Sequence, residues 1–327
     1  MGIEGFRHEI WNRSHTGRQS KDKLIEAKQV IKAPRLRRGD RIGIISPAGP
    51  VSESDLQPGL KILTSSGFKV CLAPHVYDNM GYLAGEDEVR LKDLHDMFLD
   101  PSIKAIFCAR GGYGSLRLID KIDYDLIKNN PKIIVGYSDI TALFLAIYEK
   151  TGLISFHGPM VRDLTKNSGK NWEHLLRVVS SAKSLELNMT DTSALIPGKA
   201  KGPLIGGNLS LISHLVGTPF LPSLDGCILF IEDRGEPVYR LDRMLAHLVL
   251  SGHLKQLSGL ITGQFEACGD TAAISGLLMD TVSDLHIPLA TGLGVGHGQK
   301  NLTLPLGIKT ELDTERMTLT FMEGGVL

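Results

Sequence analysis

One segment of the sequence places a serine where a strand would turn into a helix. In VGYSDITALFLAIYEK, the apolar stretch 133–135 precedes Ser138 and Asp139, and an apolar helical pattern follows them. At such a turn a serine hydroxyl stands above the sheet edge, and the amides that follow can stabilise developing negative charge. Ile140 occupies the last position of the common hydrolase motif GxSxG, so that motif is not matched. The alternative is that Ser138 or Asp139 simply caps the helix.

A glycine-rich stretch follows another apolar segment. AIFCA leads into RGGYGS, which begins at Arg110 and includes Gly111 and Gly112. Glycines let the backbone approach a ligand closely and can point amides at an anion. No GK[ST] follows, so the stretch is not a Walker loop. It could present an amide to an oxyanion, bind a phosphate, or merely connect a strand to a helix.

Two acidic residues end a third apolar segment. In LFIEDRGEPVYRLDRML, Glu232 and Asp233 follow the apolar run and precede Arg234. An acid at the carboxyl end of a strand lies at the edge where open α/β sheets bind ligands. The alternative is a solvated turn stabilised by ion pairs, which is the usual use of such a charge cluster.

A histidine lies between two glycines near the end of the chain. His297 in GLGVGHGQKN has little beside it to pack against, and we interpret it as a residue on an exposed loop. Such a histidine is suited to proton transfer at neutral pH. Metal ligation is the competing use, but no second His or Cys lies at ligand spacing. A plain surface loop is the remaining alternative.

The four stretches together contain every group that acyl-transfer hydrolysis requires. They supply a hydroxyl nucleophile, an acid and a histidine in the chain order Ser…Glu…His, and a glycine loop that could bind an oxyanion.

The apolar pattern indicates an α/β protein with two domains. The segments RIGIIS, FKVCLA, KAIFCA and KIIVG are near-continuous apolar runs separated by helical patterns, which is typical of a parallel sheet covered on both faces. The last segment, GIKTELDTERMTLTF, predicts an antiparallel hairpin. We therefore predict an N-terminal parallel-sheet domain with flanking helices and a mixed α/β C-terminal domain closed by that hairpin. The predicted divisions are a polar extension (1–33), the first domain (34–165), a linker containing one helix (166–200) and the second domain (201–327).

The composition narrows the function classes. The 327 residues contain 36 Lys+Arg and 36 Asp+Glu, and a net charge of zero argues against a nucleic-acid binder that works by bulk charge. No apolar run approaches the 18 or so residues needed to span a bilayer, and the N-terminus lacks a secretory pattern. The cysteines are far apart and favour a reducing compartment without disulfides or zinc: Cys71, Cys108, Cys227 and Cys268.

The motifs resemble, in order, those of the LD-carboxypeptidase family of serine peptidases, the muramoyltetrapeptide carboxypeptidases. The resemblance covers residue 34 to the C-terminus, and the polar extension lies outside it. The matching segments are GDRIGIISPAGPV, RGGYGS, VGYSDITAL, FHGPM, GPLIGGNLSLI, IEDRGEPVYRLDRML and GVGHGQKN.

The resemblance implies a role for five residues. It identifies Ser138 as the nucleophile, Glu232 as the acid that orients the base, and His297 as the general base. The amides of Asp139 and Gly112 would form the oxyanion hole. The resemblance also implies an N-terminal domain carrying the serine, a C-terminal domain carrying the acid and histidine, and a homodimeric, cytoplasmic enzyme that removes terminal D-alanine from murein tetrapeptides.

The expected reaction is serine hydrolysis without a metal or cofactor. The free carboxylate of the substrate needs a cation, for which Arg110 and Arg234 are the candidates, unless each forms an ion pair with a protein carboxylate.

Two other functions are alternatives to the carboxypeptidase activity. One is an immunity-type hydrolase of peptidyl- or aminoacyl-nucleotide antibiotics, and the other is a non-catalytic module that binds an anion or peptide. A murein peptide is the expected partner, and no nucleic acid or membrane is expected.

Overall fold

A computed structural model describes residues 29–189 and 191–327, and the predicted extension lies mostly outside these ranges. The strands are β1 Arg41–Ile45, β2 Lys69–Leu72, β3 Ile103–Cys108, β4 Ile133–Gly136, β5 Ser155–His157, β6 Leu185–Asn188, β7 Ser193–Ile196, β8 Lys199–Asn208, β9 Ile228–Arg234, β10 Gly259–Glu266, β11 Leu289–Thr291, β12 Leu304–Leu306, β13 Lys309–Asp313 and β14 Thr318–Phe321. The α-helices are α1 Glu53–Ser65, α2 Asp87–Leu99, α3 Tyr124–Asn129, α4 Ile140–Thr151, α5 Lys170–Ser180, α6 Leu209–Leu215, α7 Val238–Leu250 and α8 Thr271–Val282.

The first sheet confirms the predicted parallel arrangement. Its strand order is β12-β5-β4-β3-β1-β2, and all neighbours from β5 to β2 are parallel. The four predicted apolar segments form β1 to β4, and β4 is buried along its whole length. Continuous burial follows because helices cover both faces of the sheet.

The second sheet is mixed, as predicted, and contains the expected hairpin, formed by β13 and β14. Its order is β6-β14-β13-β8-β9-β10-β11-β7. Strands β8 to β11 pair in parallel, whereas β13 pairs antiparallel with both β14 and β8. The α/β class with an antiparallel closing hairpin is therefore confirmed.

The stretch 166–200 contains more structure than the predicted linker. Helix α5 packs against the first domain, where Trp172 makes edge contacts with Phe68 and Phe107. Strands β6 and β7 belong to the second sheet. The strands were missed because β7 and most of β6 are at least partly exposed, so they lack the apolar signal of central strands.

Two further segments cross the predicted divisions. Strand β12 comes from the C-terminal part of the chain but completes the first sheet by pairing with β5. Near the start, the Ile31 N–H donates to the Gly152 carbonyl at 2.8 Å, and Ala33 is fully buried. Ile31 and Ala33 therefore join the core rather than the polar extension, because the Ile31 backbone pairs with the end of α4 and the Ala33 carbonyl accepts from the Leu327 N–H at 2.9 Å.

Helix α4 lies between the two sheets. Its sequence, ITALFLAIYEKT, is apolar on every side, which is typical of a fully buried helix. Leu143, Phe144 and Ile147 belong to a core that contains residues of both sheets, whereas Leu145 and Ala146 belong to a second core formed mainly by the C-terminal part of the chain. At its first turn the Thr141 Oγ1 accepts a 3.0 Å hydrogen bond from the Asn208 N–H of β8. The helix thus fixes the two domains against each other.

The described helices have at most 13 residues, so no helix within these ranges has the length and apolarity needed to cross a bilayer.

The contact between α4 and β8 can be tested with two glycines. Gly207 and Gly217 both have positive φ angles, but a Cβ at Gly207 would lie 2.5 Å from the Thr141 Oγ1, whereas one at Gly217 meets nothing within 4 Å. Gly207→Ala should therefore lower the free energy of unfolding in urea by about 1–3 kcal/mol more than Gly217→Ala, as overpacking usually does. Equal losses of unfolding free energy in the two variants would show that α4 and β8 can move apart without a measurable cost.

Candidate active site

The site lies at the carboxyl edge of the first sheet. The chain leaves β1 toward β2 on one side and leaves β3 toward β4 on the other, so the loops after β1 and β3 border a crevice between them. Open α/β sheets bind ligands at such a reversal of strand order. The two loops touch, since the Gly49 N–H donates to the Gly111 carbonyl at 3.1 Å.

Ser138 occupies a strained turn between β4 and α4. Its φ angle is +64°, an unusual value for a residue that is not glycine. The turn is tight, because a Cβ at Gly136 would lie 3.0 Å from the side chain of Ile140. Strain of this kind persists where the surrounding structure enforces it, and it is concentrated at functional sites. The predicted elbow geometry is present even though GxSxG is not.

The side chains of Ser138, His297 and Glu232 form one hydrogen-bonded chain. The Ser138 Oγ lies 2.9 Å from the His297 Nε2, and the His297 Nδ1 lies 2.7 Å from the Glu232 Oε2. An ionised carboxylate can only accept, so the Nδ1–H donates to Glu232 and the Nε2 accepts from the serine hydroxyl. This is the arrangement in which an imidazole can take a proton from a serine.

Glu232 and Asp233 are buried, so the alternative of a solvated turn does not describe them. Glu232 is fully inaccessible, and its burial raises the pKa of the carboxyl, while the hydrogen bond from His297 opposes that rise. Asp233 accepts hydrogen bonds from the Asn208 amide at 2.9 Å and from the backbone and hydroxyl of Ser210. These bonds allow a second buried carboxylate to lie beside the first.

His297 is more enclosed than the sequence suggested. Its side chain is only 10 % exposed, and the Tyr137 ring lies edge-on to the imidazole at 5.0 Å. Gly296 is required there, since a Cβ would lie 2.7 Å from the Glu232 Oε2. The amide oxygens of Asn301 and Gln264 accept hydrogen bonds from the loop N–H groups on either side of the histidine.

The glycine-rich loop lies against the serine. A Cβ at Gly111 would be 3.3 Å from the Ser138 Oγ, so a larger residue there would crowd the hydroxyl. Gly112 is exposed and has a φ angle of +122°. Asp139 occupies the cap position of α4, but its carboxylate accepts from the Ser115 N–H at 2.8 Å instead of capping the helix. Burial raises the pKa of that carboxyl.

The two candidate arginines differ in position. The Arg110 guanidinium donates to the Pro50 carbonyl at 2.9 Å and lies beside Gly49 and Gly112. Arg234 is exposed at the end of β9, and only its backbone N–H has a described partner near the acids. Within the part of the chain that the structure describes, neither guanidinium forms an ion pair with a carboxylate.

Several residues of the site were not identified from sequence. Tyr137 donates to the Asp163 carboxylate at 2.9 Å while its ring contacts His297. His157 lies behind that tyrosine, is fully buried, and has no hydrogen-bond partner within the described chain. Asn208 links the two acids. Each lies inside a segment that carried the family resemblance, but no spacing rule assigns a role to these residue types.

The chain belongs to the LD-carboxypeptidase family. Residues 42–158 match the LD-carboxypeptidase N-terminal domain, and residues 201–312 match the LD-carboxypeptidase C-terminal domain. These two matches include every residue of the hydrogen-bonded chain described above.

Individual relatives agree with this assignment. The "probable murein peptide carboxypeptidase" of Bacillus subtilis (strain 168) is 38 % identical over 309 residues, covering 90 % of this chain and 95 % of the relative. The murein tetrapeptide carboxypeptidase of Pseudomonas aeruginosa is 31 % identical over 290 residues, covering 85 % and 94 %. The solved structure of the microcin C7 self-immunity protein MccF with aspartyl sulfamoyl adenosine superposes with a TM-score of 0.86 at 27 % identity, covering 91 % and 100 %.

The buried histidine behind the site predicts a loss of stability in acid. Burial lowers the pKa of His157 from 6.5 to about 3, so below pH 6.5 the unfolded chain takes up a proton that the folded chain does not. Stability must therefore fall with falling pH between these values. His157→Phe, which keeps a ring against Phe230, should reduce the loss between pH 6.5 and pH 5 by roughly 2 kcal/mol in urea titrations.

The exposed His247 provides the control for that titration. His247→Gln removes an imidazole from the exposed surface of α7 and should not reproduce the effect of His157→Phe. An unchanged loss in His157→Phe would mean that the buried ring is protonated in the folded protein.

Proposed function

We propose that this protein is a serine carboxypeptidase that hydrolyses the L,D-peptide bond of murein tetrapeptides and releases terminal D-alanine through an acyl-enzyme on Ser138. The observation that carries the proposal is the hydrogen-bonded chain from Glu232 through His297 to Ser138. Family membership supports the peptidase class, and the names of the two murein-peptide relatives support the substrate class.

Acylation begins when the His297 Nε2 takes the hydroxyl proton of Ser138 and the Oγ attacks the scissile carbonyl carbon. The negative charge on the carbonyl oxygen is stabilised by the amides of Asp139 and Gly112. Glu232 holds the imidazole in the tautomer that accepts at Nε2 and stabilises the imidazolium. When the intermediate collapses, the C–N bond breaks and His297 gives its proton to the departing D-alanine amine.

Deacylation repeats these steps with water. His297 takes a proton from a water molecule, and the resulting hydroxide attacks the ester carbonyl. Collapse of the second intermediate releases the shortened peptide as a carboxylic acid, and His297 returns the proton to the Ser138 Oγ. His297 passes on every proton that it takes during the cycle, and no step changes an oxidation state. The proposed mechanism therefore uses no metal or cofactor.

Arg110 is the favoured partner for the terminal carboxylate of the substrate. Its guanidinium lies beside Gly112, next to the proposed oxyanion site, and it has no described carboxylate partner. Arg234 is the weaker candidate because it is exposed at the end of β9.

We further propose a cytoplasmic homodimer that acts on murein peptides without a nucleic-acid or membrane partner. Zero net charge supports the absence of nucleic acid.

The central experiment is mass-spectrometric detection of D-alanine release from a purified murein tetrapeptide. Ser138→Ala should reduce kcat at least about a thousandfold, because the acyl-enzyme cannot form. Ser283→Ala, which changes an exposed serine directly after α8, should match the parent. Release of D-alanine at the parental rate by Ser138→Ala would exclude the mechanism. Release by neither the parent nor Ser138→Ala would exclude the substrate.

In the same assay Arg110→Met should raise KM for the tetrapeptide, whereas Arg234→Met should not.

A second candidate is hydrolysis of an aminoacyl nucleotide, as in immunity to a nucleotide antibiotic. The observation in its favour is the superposition with the self-immunity protein bound to aspartyl sulfamoyl adenosine. Comparing kcat/KM for that compound and for the tetrapeptide in one preparation separates the two. If neither is cleaved and a fluorophosphonate leaves Ser138 unlabelled, a non-catalytic binding module would be the better description.

A further inference from the structure

The glycine-rich loop is held at points on both sides of Gly112. Before it, the Gly111 carbonyl accepts from the Gly49 N–H at 3.1 Å. After it, the Ser115 N–H donates to the Asp139 carboxylate at 2.8 Å. Gly112 and the half-exposed Tyr113 lie between these points. The direction of the Gly112 amide therefore depends on how the backbone at Gly114 is fixed.

Arg90 of α2 binds the backbone at that position. Its Nη1 donates to the Gly114 carbonyl at 3.0 Å and also to the Pro47 carbonyl, and its Nε donates to the Gly85 carbonyl at 3.2 Å. One guanidinium thus joins three loops at the site edge. The planar fork of arginine can make these bonds together, whereas a lysine ammonium lacks that fixed geometry.

The fit between Arg90 and the loop is close. A Cβ at Gly114 would lie 2.8 Å from the Arg90 Nη1 and 2.7 Å from the Leu83 Cδ2, and its φ angle is +135°. Glycine is therefore needed at this position for the guanidinium to reach the backbone. Arg90 is only 2 % exposed, which is rare for an arginine unless it is paired.

The partner of this buried charge is Asp87, one turn earlier on α2. Its carboxylate accepts from the Arg90 Nη2 at 2.5 Å and from the Arg117 Nε at 2.9 and 3.0 Å. Arg117 is half-exposed, and its side chain has no described bond to a loop carbonyl. The Gly114 carbonyl also accepts from the Arg117 backbone N–H at 3.2 Å, a bond that Arg117→Met retains. The Arg117 side chain shares the acid with Arg90 but does not bind Gly114, which makes its replacement a matched control.

We propose that Arg90 is a positioning residue for the oxyanion hole, which fixes the Gly112 amide by holding the Gly114 carbonyl. The proposal rests on the proposed function, because it concerns the same site. Arg90 touches neither Ser138 nor, in this account, the substrate. Its loss misplaces a donor that acts most strongly on the charged intermediate, so it slows the chemical step more than it weakens substrate binding.

The first test compares Arg90→Met, Arg90→Lys and Arg117→Met in the tetrapeptide assay. Arg90→Met should lower kcat about tenfold to a hundredfold with KM within about twofold, since removal of a complete oxyanion donor costs about a hundredfold to a thousandfold. Arg90→Lys should fall between it and the parent, and Arg117→Met should match the parent. Urea unfolding of each variant verifies that it is folded under assay conditions. A folded Arg90→Met with parental kcat overturns the proposal.

A second readout separates positioning from general structural support. A peptide boronate forms a tetrahedral adduct with the serine, whereas the tripeptide product binds without one. Arg90→Met should weaken boronate binding by about the factor lost in kcat and leave product binding unchanged. Equal weakening of both would indicate general loosening of the site and would overturn the proposal. If Arg90→Met does not fold, Arg90→Lys, which keeps the charge and the stem, decides the question by the same two measurements.

The outcomes also distinguish this proposal from the proposed function. Should the parent protein release no D-alanine, the substrate assignment fails, and the rate of Ser138 labelling by a fluorophosphonate then replaces kcat. Slower labelling in Arg90→Met than in Arg117→Met supports the positioning role irrespective of substrate. Equal labelling rates contradict it.

Discussion

The arrangement of the site depends on one helix that is buried between two sheets. Helix α4 contributes apolar side chains to the cores of both domains, and its first turn is hydrogen-bonded to β8. Ser138 lies at the amino end of this helix, and Glu232 lies on β9, the neighbour of β8. Packing of a helix that is apolar on all sides therefore determines whether residues 159 positions apart, Ser138 and His297, can meet.

The electrostatics of the site follow from that burial. A fully buried carboxylate is unfavourable unless its charge is compensated. Glu232 is compensated by the His297 N–H, and its neighbour Asp233 by an amide, a hydroxyl and backbone N–H groups. Burial raises the pKa of Glu232, and the bond from His297 opposes this. The geometry of the pair therefore supports a charge on the buried carboxylate and orients the imidazole toward the serine.

Much of the fold was predictable because central strands have a strong sequence signal. Strands β1 to β4 are apolar runs, and the β13–β14 hairpin shows alternation around an Asp-Thr-Glu turn. Residues 166–200 were less predictable because strands β6 and β7 are largely exposed and acquire their structure only by pairing with distant chain segments. Strand β12 is buried, but it has only three residues and its partner β5 lies about 150 residues earlier, so no local pattern places it in the first sheet.

The candidate site, like the fold, was only partly predictable from the sequence. Serine, acid and histidine were found because they lie beside glycines or at the ends of apolar strands, and the structure brings those three side chains together. Arg90 was not found, because DEVRLKDLHDMFL predicts a helix buried on the face of Leu91, Leu94 and Phe98. In the structure Arg90 is buried while Leu91 is only partly so. Arg90 can be buried because it is paired with Asp87 on its own helix and with three carbonyls. Two of those carbonyls, of Pro47 and Gly114, belong to distant loops that the helical pattern does not reveal.

The claim that Ser138 and His297 act as one unit is tested most directly by a double-mutant cycle on kcat for D-alanine release. Residues that act together in one proton transfer have strongly non-additive effects. The account predicts that Ser138→Ala/His297→Ala is about as slow as either single variant. If the two losses instead multiply in the double variant, the serine and the imidazole act independently, and the hydrogen bond between them is not the basis of catalysis.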